Sequence, residues 1–282
     1  MNPLCIYHSN DLDGKCSAAI VSHALRSLIE LHGMDYGDVI PWDKIRDRSV
    51  IMVDFCFQPF DDMEKLRSLA SNFVWIDHHK SSLEEAERRG FNPKGLRSVE
   101  LAACELTWNF FFKGLAMPVG VQFLGRYDVW KHEEHPGSLA FQYGMRSLDT
   151  QPRSGIWKQI FYGTQMFVDE TMQRGRIIQD YVQDGYKAKA KMLCFETELE
   201  GFRLLAANNP YQSSQFFEGT FDLDRHDIMC SFYKRPDGLW TISFYSTKTE
   251  VDCSELAKKY GGGGHKGAAG CQCRLLPWES IS

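Results

Sequence analysis

Phe73-Val74-Trp75-Ile76-Asp77-His78-His79 decides how this chain is read. The first four residues form a short apolar run that predicts a buried strand. Three ionisable groups follow at its tip, where burial is costly unless something uses them. Carboxylate and imidazole together form a ligand set for a divalent cation. Two other strand-like runs end the same way. Leu4-Cys5-Ile6-Tyr7 leads into His8, with Asp11 and Asp13 just beyond, and Ser49-Val50-Ile51-Met52-Val53 leads into Asp54. Parallel strands deliver their carboxyl ends to one edge of a sheet, so these groups are expected to share a site.

Working outward, residues 1–80 alternate strand and helix patterns. Strands are expected at 4–7, 38–41, 49–53 and 73–76. Helices are expected at 15–32, stopped by Gly33, and after Pro59. This alternation predicts an α/β fold with a doubly wound, mainly parallel sheet. Residues 101–112 read as an aromatic-rich buried helix, with Trp108, Phe110, Phe111 and Phe112 as core. A run from 119 to about 126 leads into Asp128. Helix-compatible sequence then continues from 156 to 192. Its charged end (Arg174, Arg176, Asp180, Asp184, Lys187, Lys189, Lys191) suggests a solvated connector. Short alternating runs at 202–206, 228–233 and 240–245 indicate a second, smaller α/β domain. The expected division is residues 1–150, a helical connector 151–192, and 193–282.

The chain has 282 residues, 43% hydrophobic and 24% charged, with a net charge of −5. That acidity argues against coating long nucleic acid, while a small phosphorylated ligand stays open if a metal supplies positive charge locally. Nine cysteines occur without a CxxC pair. The odd count and the lack of a secretory leader favour the cytoplasm. Cys271-Gln272-Cys273 reads as alternating strand residues. No apolar run approaches the roughly 20 residues of a membrane span.

His8, Asp11 and Asp13 fall in the loop after the first strand, where Gly14 allows a tight turn. With Asp54 and Asp77-His78-His79 they supply enough oxygen and nitrogen for two ions about 3.5–4 Å apart. Carboxylate and imidazole without thiolate favour Mn²⁺ or Mg²⁺ over structural zinc, with Co²⁺ a further candidate. Any single aspartate could be a helix cap. His132 and His135, flanking Glu133-Glu134, read as a solvated charged turn. Arg225-His226-Asp227 reads equally as a substrate contact or a polar strand start. The run Gly261-Gly262-Gly263-Gly264-His265-Lys266-Gly267-Ala268-Ala269-Gly270 leaves backbone N–H groups for an anion, with charge from His265 and Lys266.

His8-x-x-Asp11-x-Asp13-Gly14, Asp54, Asp77-His78-His79, the later Asp128 and the C-terminal glycine run resemble the DHH/DHHA1 phosphoesterase superfamily. The resemblance covers nearly the whole chain and is strongest to the NrnB-like oligoribonucleases, or nano-RNases. It implies a DHH catalytic domain and a DHHA1 substrate-binding domain. It implies that His8, Asp11 and Asp54 hold one Mn²⁺, and that Asp13, Asp54, His78 and Asp128 hold another. Asp77 would orient a ligand, and His79 and His265 would meet the substrate phosphate, beside Gly263, Gly264 and Lys266. The His8–Asp11 spacing is one residue shorter than in nano-RNases with a His-x-x-x-Asp-x-Asp pattern. Where many DHHA1 domains carry arginine before the glycine run, this chain has Ser243-Phe244-Tyr245-Ser246, so Tyr245 is expected to stack on a base. The implied activity is metal-dependent hydrolysis of short single-stranded RNA or dinucleotides to mononucleotides, with no long duplex and no membrane partner. A 3′-phosphoadenosine 5′-phosphate phosphatase or a cyclic dinucleotide phosphodiesterase is the alternative. A non-catalytic nucleotide sensor would have lost ligands, and none is lost here. Assembly is open between monomer and homodimer.

Overall fold

A computed structural model describes residues 2–26, 28–131, 134–210 and 214–278. The chain divides into two compact units, Met1–Gln179 and Asp180–Ser282.

The first unit opens with β1 (Leu4–His8), α1 (Leu12–Ala24), β2 (Glu30–Met34), α2 (Trp42–Ile45), β3 (Ser49–Val53), α3 (Asp61–Leu69), β4 (Asn72–Ile76) and α4 (Lys80–Arg88). Helices α5 (Ala103–Phe111), α6 (Val119–Asp128), α7 (Ser138–Arg146) and α8 (Ile156–Tyr162) follow, and α9 (Gln165–Leu193) runs across the division. The strands form a parallel sheet in the order β2-β1-β3-β4. The chain leaves β1 toward one edge and returns at β3 to build the other. The order therefore reverses between β1 and β3, the place where open α/β sheets form a crevice.

Side-chain alternation explains why the sheet is covered on both sides. Leu4, Ile6, Val50, Met52, Phe73 and Trp75 face Ile45, Met63, Leu66 and Ala86 of α2, α3 and α4. Cys5, Tyr7, Ile51, Val53, Val74 and Ile76 face Ala18, Val21 and Leu106 of α1 and α5. The Trp75 indole N–H donates to the Phe55 carbonyl at 2.9 Å, so this buried ring leaves no polar atom unpaired. The doubly wound α/β expectation holds.

Two local expectations do not. The helix expected over 15–32 ends at Ala24, and residues 30–34 are the edge strand β2. Arg26 takes a left-handed φ of 51° and turns the chain, and Leu28 is exposed instead of continuing the apolar stripe. Gly33 lies within β2, where a Cβ would sit 2.8 Å from Ser9 Cβ, so close strand packing, not helix termination, explains it. The strand expected at 38–41 is absent. Asp38 N–H bonds back to the Asp35 carbonyl in a turn, and Pro41 precedes α2, because β2 already fills that edge.

Residues 151–179 pack into the first unit: Trp157, Ile160, Phe161 and Val168 join a core with Ile20, Trp108, Leu124 and Phe141. The seven charged residues of the expected connector, Arg174 to Lys191, are exposed. Trp108 is buried, and Phe110, Phe111 and Phe112 pack partly buried against the core.

The second unit contains β5 (Cys194–Leu199), β6 (Phe202–Asn208), β7 (Ile228–Lys234), β8 (Trp240–Tyr245), α10 (Cys253–Lys258), β9 (Gly263–Gly264) and β10 (Ala268–Cys273). The strands form one mixed sheet in the order β5-β6-β7-β8-β10-β9. Its core joins Leu204, Ile228, Phe232, Ile242 and Phe244 with Leu256 of α10. Cysteines among the described residues are free thiols, and Cys271 and Cys273 are alternating residues of β10. No helix of the described residues is long and apolar enough to cross a membrane.

Candidate metal centre

The carboxyl ends of β1, β3 and β4 meet at the crevice. β1 ends in His8, and Asp11 caps α1 by accepting from Gly14 N–H at 2.9 Å. A Cβ on Gly14 would lie 2.0 Å from the His8 carbonyl oxygen, so only glycine lets the helix start this close to the strand. Asp13, in the first turn of α1, is buried. Its two oxygens accept from Ala103 N–H at 2.9 Å and Cys104 N–H at 2.7 Å, the free donors at the start of α5.

Asp54 follows β3 with a left-handed φ of 54°, a conformation that Asp and Asn tolerate better than other side-chain-bearing residues. Its N–H is held by the Ile76 carbonyl at 2.9 Å. Asp77 follows β4. One of its oxygens accepts from His78 N–H at 2.8 Å and from the His79 ring Nδ1 at 2.7 Å, which fixes the turn and the orientation of His79. Asp128 comes from the last residue of α6.

These residues converge on two donor sets. His8 Nδ1 lies 2.7 Å from Asp11 Oδ2 and 3.8 Å from Asp54 Oδ2. His78 Nε2 lies 3.1 Å from Asp54 Oδ1, 3.4 Å from Asp13 Oδ2 and 3.3 Å from Asp128 Oδ2. In each of the triads His8–Asp11–Asp54 and Asp13–Asp54–His78 the donor atoms lie within 4.8 Å of one another, as binding one ion requires. Asp54 gives one oxygen to each set. Asp54 Oδ2 is buried without a hydrogen-bond partner among the described residues. An unpaired carboxylate oxygen is costly at such depth, and a cation between the donors would satisfy it. The donor set fits hard or borderline divalent ions.

The electrostatics are those of a crowded, buried cluster of acids and imidazoles. Burial pushes the Asp54 carboxyl up to about 6, with the Asp11 charge adding to it. Burial and neighbouring carboxylates also raise Asp13 and Asp128 well above the ordinary range. Burial acts to lower His79, but the Asp77 carboxylate outweighs it and lifts His79 to about 10. Burial and the His79 charge press His78 down to about 3, so its ring is neutral and able to ligate.

Sequence reading missed three supporting residues. Asp35, just past β2, lies 3.4 Å from His8 Nε2, on the ring edge opposite the donor set. Recognising 30–34 as a strand would have exposed it as another strand-end acid. Buried Glu105 accepts from Ala102 N–H at 3.2 Å and pairs with Arg126 at 3.1 Å. It links the start of α5, which holds Asp13, to the helix that ends in Asp128. Alanine at the cap position gave no sequence signal for it.

The remaining candidates lie in the second unit. Gly263 and Gly264 form β9 and pair with Gly270 and Ala269 of β10. The expected open row of N–H groups is partly committed: Gly261, Gly262 and His265 donate to the carbonyls of Lys258, Ala257 and Ala268. His265 is half-buried, Lys266 is exposed, and Tyr245 is buried at the end of β8. Asp227 is held by Arg203 and Lys248, and His226 lies 3.2 Å from Glu196, which accounts for this segment as strand-start structure. His135 is exposed, whereas His132 and Glu133 lie outside the described residues.

Residues 3–123 match the DHH family, N-terminal domain. The uncharacterized protein R106 of Acanthamoeba polyphaga mimivirus is 23% identical over 302 residues, covering 98% of this chain and 69% of that protein. Among solved structures, the DHH domain of PF0399, described as a member of a family of ribosomal proteins, has a TM-score of 0.61 at 12% identity, covering 96% of this chain and 82% of that one. The pGpG-specific phosphodiesterase PggH from Vibrio cholerae has a TM-score of 0.53 at 12% identity, covering 97% and 93%. These two likenesses are of fold.

Proposed function

We propose, for a chain whose residues 3–123 match the N-terminal domain of the DHH family, that it is a metal-dependent phosphodiesterase that hydrolyses short RNA oligonucleotides or dinucleotides to mononucleotides. The observation that carries the reading is Asp54, whose two oxygens serve two adjoining donor sets. Two divalent ions bound there would neutralise the scissile phosphate and lower the pKa of a shared water. Mn²⁺ suits the mixed carboxylate and imidazole donors, and Mg²⁺ and Co²⁺ are the alternatives to test.

The protein's own groups divide the remaining work. His8, Asp11 and Asp54 hold one position, and Asp13, Asp54, His78 and Asp128 the other. Asp77 is buried behind His79 and keeps it charged, so the Nε2–H of His79 can donate a hydrogen bond to a phosphate oxygen. Asp13 stays fixed because α5 supplies two N–H donors to it. His265, Lys266 and the neighbouring glycines remain candidates for substrate contact. The net charge of −5 disfavours long duplex nucleic acid as substrate.

The test is hydrolysis of end-labelled RNA of two to seven nucleotides, linear and cyclic dinucleotides, and 3′-phosphoadenosine 5′-phosphate, each with Mn²⁺ and with chelator. Metal-dependent release of mononucleotides from the short RNAs is expected. Preference for the bisphosphate alone, or full activity of Asp54→Ala, refutes the proposal.

A further inference from the structure

Residues 180–193 are the part of α9 that belongs to the second unit. One side of this segment packs on its own unit. Ala190 is buried, the Tyr186 ring lies 5.5 Å from that of Phe216, and Gln183 Nε2 donates to Glu218 at 3.2 Å. The other side is apolar and bare. Tyr181, Gly185, Ala188 and Met192 recur at intervals of four, three and four residues, which puts them on one stripe of the helix. Ala188 is exposed and Gly185 half-buried. Tyr181 is 83% exposed and Met192 78%, more than any other large hydrophobic side chain of this unit among the described residues. A narrow stripe with this repeat is a coiled-coil seam that lacks its second helix.

The charges beside the stripe point to its occupant. Asp180, Asp184, Lys187 and Lys191 share one flank, again at intervals of four, three and four. Within a single helix this order is poor. Two acids stand one turn apart, then two lysines, and like charges at that spacing repel. Asp184 and Lys187 make a pair at 3.9 Å, with both side chains largely exposed. A second helix running antiparallel reverses the order, so that acids meet lysines. We propose that this face docks on the same face of a second copy of the chain, as an antiparallel two-fold helix pair. A two-fold axis between positions 186 and 187 sets Tyr181 against the partner's Met192 and Gly185 against the partner's Ala188. The small residues then fall at the centre of the pair, where the two backbones approach closely, and the large ones close its ends. The same axis places Asp184 between the partner's Lys187 and the partner's Lys191, and Asp180 beside the partner's Lys191. A parallel pair would set acid on acid and lysine on lysine, so the charge pattern selects the antiparallel direction.

This stretch of helix spans about 21 Å, so the contact belongs with the smaller interfaces, and a dissociation constant on the order of 10 μM is expected. Sedimentation of the full chain over about 1–300 μM should show a reversible monomer–dimer equilibrium. Ala188→Glu, at an exposed helix position that tolerates glutamate, brings bulk and charge into the seam and should weaken association by on the order of tenfold or more. The charge test uses two double variants, Asp180→Lys with Asp184→Lys and Lys187→Asp with Lys191→Asp, each checked for a melting curve like that of the natural protein. Each alone carries four like charges on the flank and should be monomeric, and an equimolar mixture of the two should dimerise again. Should either double variant melt lower, Ala188→Glu alone decides. A natural chain that stays monomeric throughout assigns the face to another molecule and overturns the proposal. A dimer kept by Ala188→Glu, or charge variants that do not pair when mixed, overturns it as well. None of these positions belongs to the donor sets, so the outcome is independent of the phosphodiesterase reading.

Discussion

Asp54→Asn should make the metal-free protein more stable while removing its response to metal. Asp54 is 1% exposed, and burial with the Asp11 charge lifts its carboxyl from 3.8 to about 6. At 1.36 kcal/mol per pH unit, that displacement amounts to about 3 kcal/mol. The sign follows from linkage. A carboxyl raised on folding stabilises nothing above its folded pKa, so at pH 7.5 the folded state bears the full penalty of the buried charge. Asparagine removes the charge, keeps an oxygen toward His78, and accepts the left-handed φ of 54°. It also buries an N–H₂ where Oδ2 has no hydrogen-bond partner, which returns about 1–2 kcal/mol of the gain. The net is about 1–2 kcal/mol, or a melting temperature a few degrees higher. The assay is thermal unfolding at pH 7.5 in chelator and then in Mn²⁺. The natural protein should rise with Mn²⁺ and the variant should not. A metal-free variant that melts below the natural protein, or one stabilised by Mn²⁺ to the same extent, refutes the argument.

Gly14→Ala drives a Cβ to 2.0 Å from the His8 carbonyl oxygen, so a loss of about 3 kcal/mol or more is expected, read by urea unfolding. Glu105→Ala breaks the buried pair with Arg126 and uncaps α5. It should reduce Mn²⁺ affinity by about 10–100-fold in titration calorimetry, although Glu105 is in neither donor set. His79, lifted to about 10 by Asp77 against the effect of burial, contributes stability that is complete below its ordinary pKa of 6.5. That contribution is lost as pH rises through 10, so metal-free protein should weaken between pH 7 and 10, and His79→Gln should weaken less; equal slopes in chelator would remove the assignment. Chelator should abolish hydrolysis of short RNA, and returned Mn²⁺ should restore it.

The strand-end acids were legible because a buried apolar run that stops at Asp or His leaves few structural excuses. Asp54 and Asp77-His78-His79 each follow such a run, and their convergence needed only the rule that parallel strands end on one edge. β2 was hidden for a physical reason. Glu30-Leu31-His32-Gly33-Met34 is an edge strand with its first four residues exposed or half-buried, so packing never imposed a clear alternation, and Leu28 and Leu31 extended a helical count by coincidence. Losing β2 also lost Asp35. Support for Asp13 was illegible for a different reason: its partners are backbone N–H groups ninety residues away, and backbone donors carry no residue identity. Which N–H groups of the glycine run are already used was illegible, because composition shows that they are unobstructed, not whether neighbouring carbonyls accept from them.

The order of the donors along the chain sets a timetable for synthesis. His8, Asp11 and Asp54 are all present once β3 has been made. The second set waits for His78, for the N–H groups of Ala103 and Cys104 that steady Asp13, and finally for Asp128. A growing chain thus carries the three donors of one set before the last donors of its neighbour have been made. Domains form as units during translation, and long-range pairings close late. Asp128, at the end of α6, is the last donor to be made, so both sets are assembled only after α6 has docked.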